Sequence, residues 1–293
     1  MIFADPIQIR LTDLGERFRP QREWVEGRGL LLILAHFLTG SGAGAWLFAI
    51  SFNLLPGLVV GFILVSLGSF AHLVFLGNPR RFWRMATRIG SSWISRGFVG
   101  MNLFMVTATL YLLLLFLEAQ STTFGQVTLV LSLLGAIWII AYKGFVWASS
   151  KGIPLWNTPL IPALYISYAL RGGAAMLMVL GARFAIPEPL ELIKLWLAVS
   201  TAVLILIYVE VMRGSGMTTL RSVQLMLFGR VALPFYFGAV LLGLVVPITI
   251  GAFAYSVSLP FGLLGVIGLL SLLGDISIIY CIAKAGLYRP LPA

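Results

Sequence analysis

The sequence predicts an all-α membrane protein with eight transmembrane helices, and three observations lead there. Of 293 residues, 60% are hydrophobic and only 10% charged, with a mean hydropathy of +1.01. A soluble domain carries roughly 25% charged residues, so this surface is not built for water. The apolar residues also come in runs that fill the hydrocarbon core, which takes about 20 residues per helix. Those runs, such as LLILAHFLTGSGAGAWLFAI, do not alternate as the strands of a transmembrane barrel do. A soluble enzyme, a disordered chain and a disulfide scaffold are excluded, the last because Cys281 is the lone cysteine. Fe–S clusters and Cys-ligated zinc go with it, since each needs several thiolates.

Breaks at Gly, Pro and charge set the elements in order. Residues 1–28 are charged and lack an apolar centre, so they read as an arm rather than a cleaved signal. The first span follows at about 29–50 and the second at about 54–76. A charged connection, 77–97, separates them from the third span at about 98–117 and the fourth at about 126–148. The second half repeats the pattern with spans at about 159–181, 191–211, 229–250 and 258–284.

Charge orients the whole. An even number of spans puts both ends on one face, and that face collects 17 of the 20 lysines and arginines. They include Arg10, Arg17, Arg19, Arg22 and Arg28 of the arm, five arginines of the 77–97 connection, Lys143, Lys151, Lys284 and Arg289. Arg183 and Lys194 fall on the opposite face, and Arg171 falls inside a span. Positive charge stays on the cytoplasmic side, so both termini are expected in the cytoplasm and the chain in the inner membrane. The net charge of +10 is then a matter of topology and lipid, with no nucleic-acid partner.

The connection GNPRRFWRMATRIGSSWISRG exceeds what orientation alone requires. Its guanidiniums suit phosphate, carboxylate or a docked protein. With His72-Leu73 just ahead of Leu76-Gly77-Asn78-Pro79-Arg80-Arg81-Phe82-Trp83-Arg84, and Ser92-Trp93-Ile94-Ser95-Arg96 after it, the segment resembles the NrfD/PsrC-like family. That family includes the anchor subunits of DMSO reductases. The small-residue stretch Gly40-Ser41-Gly42-Ala43-Gly44, the Ala141-Tyr142-Lys143-Gly144 string and Gly274-Asp275 agree with it. Gly97 departs from it, standing where the family has an acid.

The resemblance implies two four-helix bundles, here 29–148 and 149–293, forming a quinone-reactive subunit that binds no haem or Fe–S cluster itself. It implies exchange of electrons between menaquinone or ubiquinone and an Fe–S subunit. That subunit would serve a molybdenum- or tungsten-pterin catalytic subunit, on which the other substrate reacts.

A quinone site needs apolar walls with a few polar groups at the ring oxygens. His36 lies about seven residues, roughly 10 Å, inside the first span. It is the expected oxygen ligand and proton exchanger, because imidazole titrates near neutrality. Tyr142 is expected at the other oxygen, with His72, Asn102 and Lys143 completing the pocket. Arg80, Arg81, Arg84, Trp93 and Arg96 are expected to dock the Fe–S partner.

Arg171, Glu210 and Asp275 read as proton-handling or structural. Arg171 lies near mid-membrane, where an unpaired cation is costly, with no acid evident at its depth. The outer half of every span reads as apolar apart from Glu118 at one edge, which argues against a transmembrane proton pump. Two other readings stand beside this one. His36 and His72 could ligate a haem in a cytochrome b anchor, and Arg171 beside Gly172-Gly173 could mark a secondary transporter.

Overall fold

The computed structural model describes residues 18–184, 187–254 and 261–289. Most of the expected N-terminal arm, with Arg10 and Arg17, and the expected start of the eighth span at 258 lie outside them. Eight helices are long and apolar enough to cross a membrane. In chain order they are α1 (Gly29–Ser51), α2 (Leu55–Phe75), α3 (Trp93–Phe116) and α4 (Thr123–Ala148). They continue as α5 (Leu160–Leu180), α6 (Glu188–Gly214), α7 (Pro234–Val245, continued by Val246–Ala254) and α8 (Phe261–Lys284). No strand forms among the described residues, where one β-bridge joins Pro20 to Leu287.

Three local features depart from the expected elements. The third helix starts five residues early, because Ser92 caps it by accepting from the Ser95 N–H at 3.3 Å. The arginine connection is therefore shorter, and Pro79–Arg88 winds as a 3-10 helix. A further helix, Met217–Leu227, lies between α6 and α7, too short to span.

In α7 the stretch Pro234–Val245 is a π-helix. Pro247 sits four residues after Gly243 and offers no N–H to that residue's carbonyl. The Gly243 carbonyl also accepts from Arg171, at 3.3 Å.

Packing centres on α1 and α5, the two helices with the most buried surfaces, while α2, α3 and α6 turn large apolar side chains outward. Lipid offers no hydrophobic reward for helix association, so close backbone approach has to do the work. Gly44 of α1 meets Gly173 of α5, where a Cβ on Gly173 would come within 2.6 Å of the Gly44 Cα. Gly42 and Gly61 do the same for α1 and α2, each too close to the other's carbonyl oxygen to carry a side chain. The stretch Gly40–Gly44 is thus a seam on two sides. It joins the expected first and second groups of four helices through a shared α1–α5 contact.

The described segments before α1 and after α8 meet on one face. The Gln21 N–H donates to the Gly286 carbonyl at 3.0 Å, and the Tyr288 N–H to the Arg19 carbonyl at 2.9 Å. Glu26 accepts from Lys284 in an ion pair. Arg28 donates to the Val74 carbonyl at 3.2 Å, at the end of α2. Gly77 permits that contact, having φ +70° and no Cβ to meet the Arg28 guanidinium.

Two outcomes follow. Gly173→Leu forces backbones apart where overpacking already costs about 1–3 kcal/mol, so thermal unfolding in detergent should show a lower Tm, while Gly262→Ala, in open space, should not. The hydrogen bond from Lys284 holds the Glu26 carboxyl below the usual carboxylate range. A lowered acid contributes at neutral pH and loses that contribution as pH falls through its folded value. The distance between spin labels at positions 22 and 289 should therefore lengthen below about pH 4, and Lys284→Met should lengthen it at pH 7.

Candidate functional site

Where α1 to α4 reach the face that carries these two segments, they and the 3-10 segment enclose a cavity of about 260 Å³. Its walls are apolar, with Leu32 of α1, Leu73 of α2, Phe98, Met101 and Met105 of α3, and Val146 of α4. Polar side chains of the spans stand among them: His36, Ser69, His72, Asn102 and Tyr142. Phe82 and Met85 of the 3-10 segment complete one side and Trp24 another. Phe82 and Ile94, which also line it, are exposed.

His36 is buried at 4% exposure, and its Nδ1 accepts from the Trp147 indole N–H at 3.0 Å. An accepting Nδ1 leaves the proton of the neutral ring on Nε2. His72 stacks obliquely on it, with ring centroids 5.2 Å apart, and its own buried Nε2 has no hydrogen-bond partner. Tyr142 is buried against Gly97, where any Cβ would run into its ring. The glycine that departs from the family pattern is therefore what lets this tyrosine lie along the cavity wall. Asn102 returns its amide N–H to the Phe98 carbonyl at 2.8 Å and presents its remaining face to the cavity.

Lys143 stands elsewhere than expected. It is 2% exposed, and its Nζ donates to the His36 backbone carbonyl at 2.9 Å, behind the ring rather than in the main cavity. There it lines a much smaller cavity with Tyr165, Tyr168 and Asp275. Its charge does not belong to the face, because α5 covers the helix end that the sequence leaves open.

The arginine connection divides in two. Arg80, Arg81 and Arg84 are exposed, with Arg84 5.6 Å above the Trp83 ring. Arg96 instead donates to the Ile89 and Gly90 carbonyls at 2.9 and 2.7 Å, closing the turn before α3, and lies 4.6 Å over Trp93. Trp93 in turn stacks on Phe145 at 4.5 Å. These two residues tie the connection to α4.

Arg171 has the acid that depth counting missed. Its Nε donates to Asp275 Oδ1 at 2.8 Å, its second terminal nitrogen reaches the same oxygen, and its first reaches the Gly243 carbonyl at 3.3 Å. The miss has a simple cause. Arg171 lies 11 residues from Leu160 and Asp275 nine from Lys284, about 16 and 14 Å deep at 1.5 Å per residue. A guanidinium on three methylenes spans that difference easily.

Glu210, by contrast, is exposed and pairs with Arg213 at 3.1 Å, away from the cavity. Lys194 is 3% exposed within the structure instead of facing outward, so the outer half of α6 is not uniformly apolar.

Sequence reasoning missed Trp147, whose donation orients His36, and Trp24. Nothing in spacing marks either among eight tryptophans. Among the described residues, no group of three His, Cys, Asp or Glu side chains is arranged to hold a metal ion.

Comparison with known families matches residues 28–290 to the family model described as polysulphide reductase, NrfD. No curated protein matches the chain.

Removing one partner of a buried ion pair costs about 3–5 kcal/mol, whereas replacing both by apolar groups is often neutral. Arg171→Met and Asp275→Leu should each lower Tm in detergent strongly, and the double variant should recover most of the loss.

Proposed function

The chain belongs to the NrfD (polysulphide reductase) family, and from that premise we propose that it is the quinone-reactive membrane subunit of a multi-subunit oxidoreductase. NrfD membrane subunits interact with quinones and work with other redox subunits. In this reading the chain exchanges electrons between menaquinone or ubiquinone and an Fe–S subunit. That subunit serves a molybdenum- or tungsten-pterin catalytic subunit, which carries the chemistry of the other substrate. In this reading the exposed Arg80, Arg81 and Arg84 offer the docking surface for such a partner, and the bias of positive charge to one face supports a cytoplasmic side for it.

The observation that carries the proposal is the cavity itself. It unites an apolar slot with His36, His72, Asn102 and Tyr142, groups drawn from four different spans. Its volume of about 260 Å³ falls just under the roughly 300 Å³ at which drug-sized pockets begin. That suits a ring, with the isoprenoid tail leaving past Phe82 and Ile94 into lipid. The unpartnered Nε2 of His72 is the kind of buried polar atom a ring oxygen would satisfy.

A quinone supplies two-electron chemistry coupled to two protons. The residues supply its proton handling and its orientation. His36, held by Trp147 with its proton on Nε2, can give a hydrogen bond to a ring oxygen and fix the ring's orientation. Tyr142 can donate from its phenol, and Gly97 keeps that ring against the wall. The cytochrome reading is less well supported, because His36 and His72 meet at 5.2 Å, too close to hold a porphyrin plane between two axial ligands.

The test uses the complex purified from its native membrane. His36→Ala should slow quinone-linked turnover by about 10²-fold, and Tyr142→Phe by about tenfold, the worth of one hydrogen bond. Dye-linked turnover of the soluble subunits should persist in both. Equal loss of the two activities would sink the assignment of these residues.

A further inference from the structure

We propose that residues 19–28 form a strap that closes the cavity against water, with Trp24 as the wall that sets its affinity for the quinone ring. The closure stands on geometry alone, and the ligand in it rests on the function proposed above.

Trp24 precedes the first span, yet it lines the same cavity as His36 and Tyr142. Its ring stands edge-on to Trp147 at 5.5 Å and tilted against Trp156 at 5.7 Å. Trp147 is the residue that donates to His36 Nδ1. Trp24 therefore closes the cavity and also backs the group that orients its histidine.

The strap is built to hold this ring in place. Gln21 is fully buried, and its amide, turned so that the oxygen accepts, meets the N–H groups of Glu23 and Trp24 at 3.2 and 2.5 Å. Val25 is 2% exposed and packs in the core beside Trp147 and Trp156. At Gly29 the chain passes so near that a Cβ would lie 2.8 Å from the Glu23 carbonyl oxygen. A loose surface segment needs none of these contacts.

Its fastenings come from the other end of the molecule. The Gln21 N–H donates to the Gly286 carbonyl, the Tyr288 N–H and hydroxyl to Arg19 and Glu23, and Lys284 to Glu26. The cavity lies among α1 to α4, yet its water-side wall is secured to the residues that follow α8.

The experiment uses the full chain in nanodiscs, with decylubiquinone and a short-chain menaquinone as probes and diethylpyrocarbonate as a water-borne label for histidine. Trp24→Ala should weaken quinone binding at least tenfold and raise labelling of His36 several-fold. Trp24→Phe should stay within threefold of the unmodified chain on both readouts. Lys284→Met leaves the ring intact and frees the strap, and it should move both readouts in the direction of Trp24→Ala. This second variant decides the matter if Trp24→Ala fails to fold, as judged by its Tm. Unchanged labelling and binding in folded Trp24→Ala or in Lys284→Met would overturn the strap while leaving the quinone reading in place. If the unmodified chain binds neither quinone, the ligand assignment falls, and the labelling alone decides the closure.

Discussion

Everything in this molecule turns on how closely α1 and α5 approach. Gly44 and Gly173 let two backbones touch in a medium that gives helices no hydrophobic reason to associate. Helices α4 and α8 both pack against this pair. Lys143 can then reach the His36 carbonyl, and Asp275 can reach Arg171. A side chain at either glycine would hold the helices apart and leave two cations without partners in the membrane interior.

Several polar groups inside the spans find a protein partner where water cannot serve. Lys143 uses a helix carbonyl, and Arg171 uses a carboxylate and the Gly243 carbonyl. Trp46 and Trp147 find Ser132 and His36. Among the described residues, His72 Nε2, the Tyr165 and Tyr168 hydroxyls and Asp275 Oδ2 are buried in the spans without a partner, and of these only His72 lines the main cavity.

Much of this was legible in the residues. Apolar run length found all eight spans, since the hydrocarbon thickness imposes it from outside. The arginine connection was legible as a motif. Four of the side chains picked for depth and chemistry, His36, His72, Asn102 and Tyr142, do line one cavity. What escaped depends on lateral neighbours that run length does not encode. Lys143 reads as a facial charge until α5 is seen to cover it. Arg171 reads as unpaired until α8 is laid beside α5. Lys194 reads as outer-face charge though it turns inward. Trp24 is invisible as a wall because its position depends on residues more than 250 places further on.

The joining of residues 19–28 to residues 284–289 has a consequence for how the protein is made. A chain is synthesised from its N-terminal end, and early segments organise before later ones emerge. Helices α1 to α4 can therefore reach the bilayer and find one another while the fastenings of the strap do not yet exist. The cavity stays open to the aqueous side through that interval. It is sealed only when α8 has inserted and the segment after it has returned to the starting face. Completion of the pocket thus reports completion of the whole topology, and a chain stalled or misthreaded in its second half would carry an unsealed site. Cellular quality control has, in that one joint, a physical sign of whether assembly is finished.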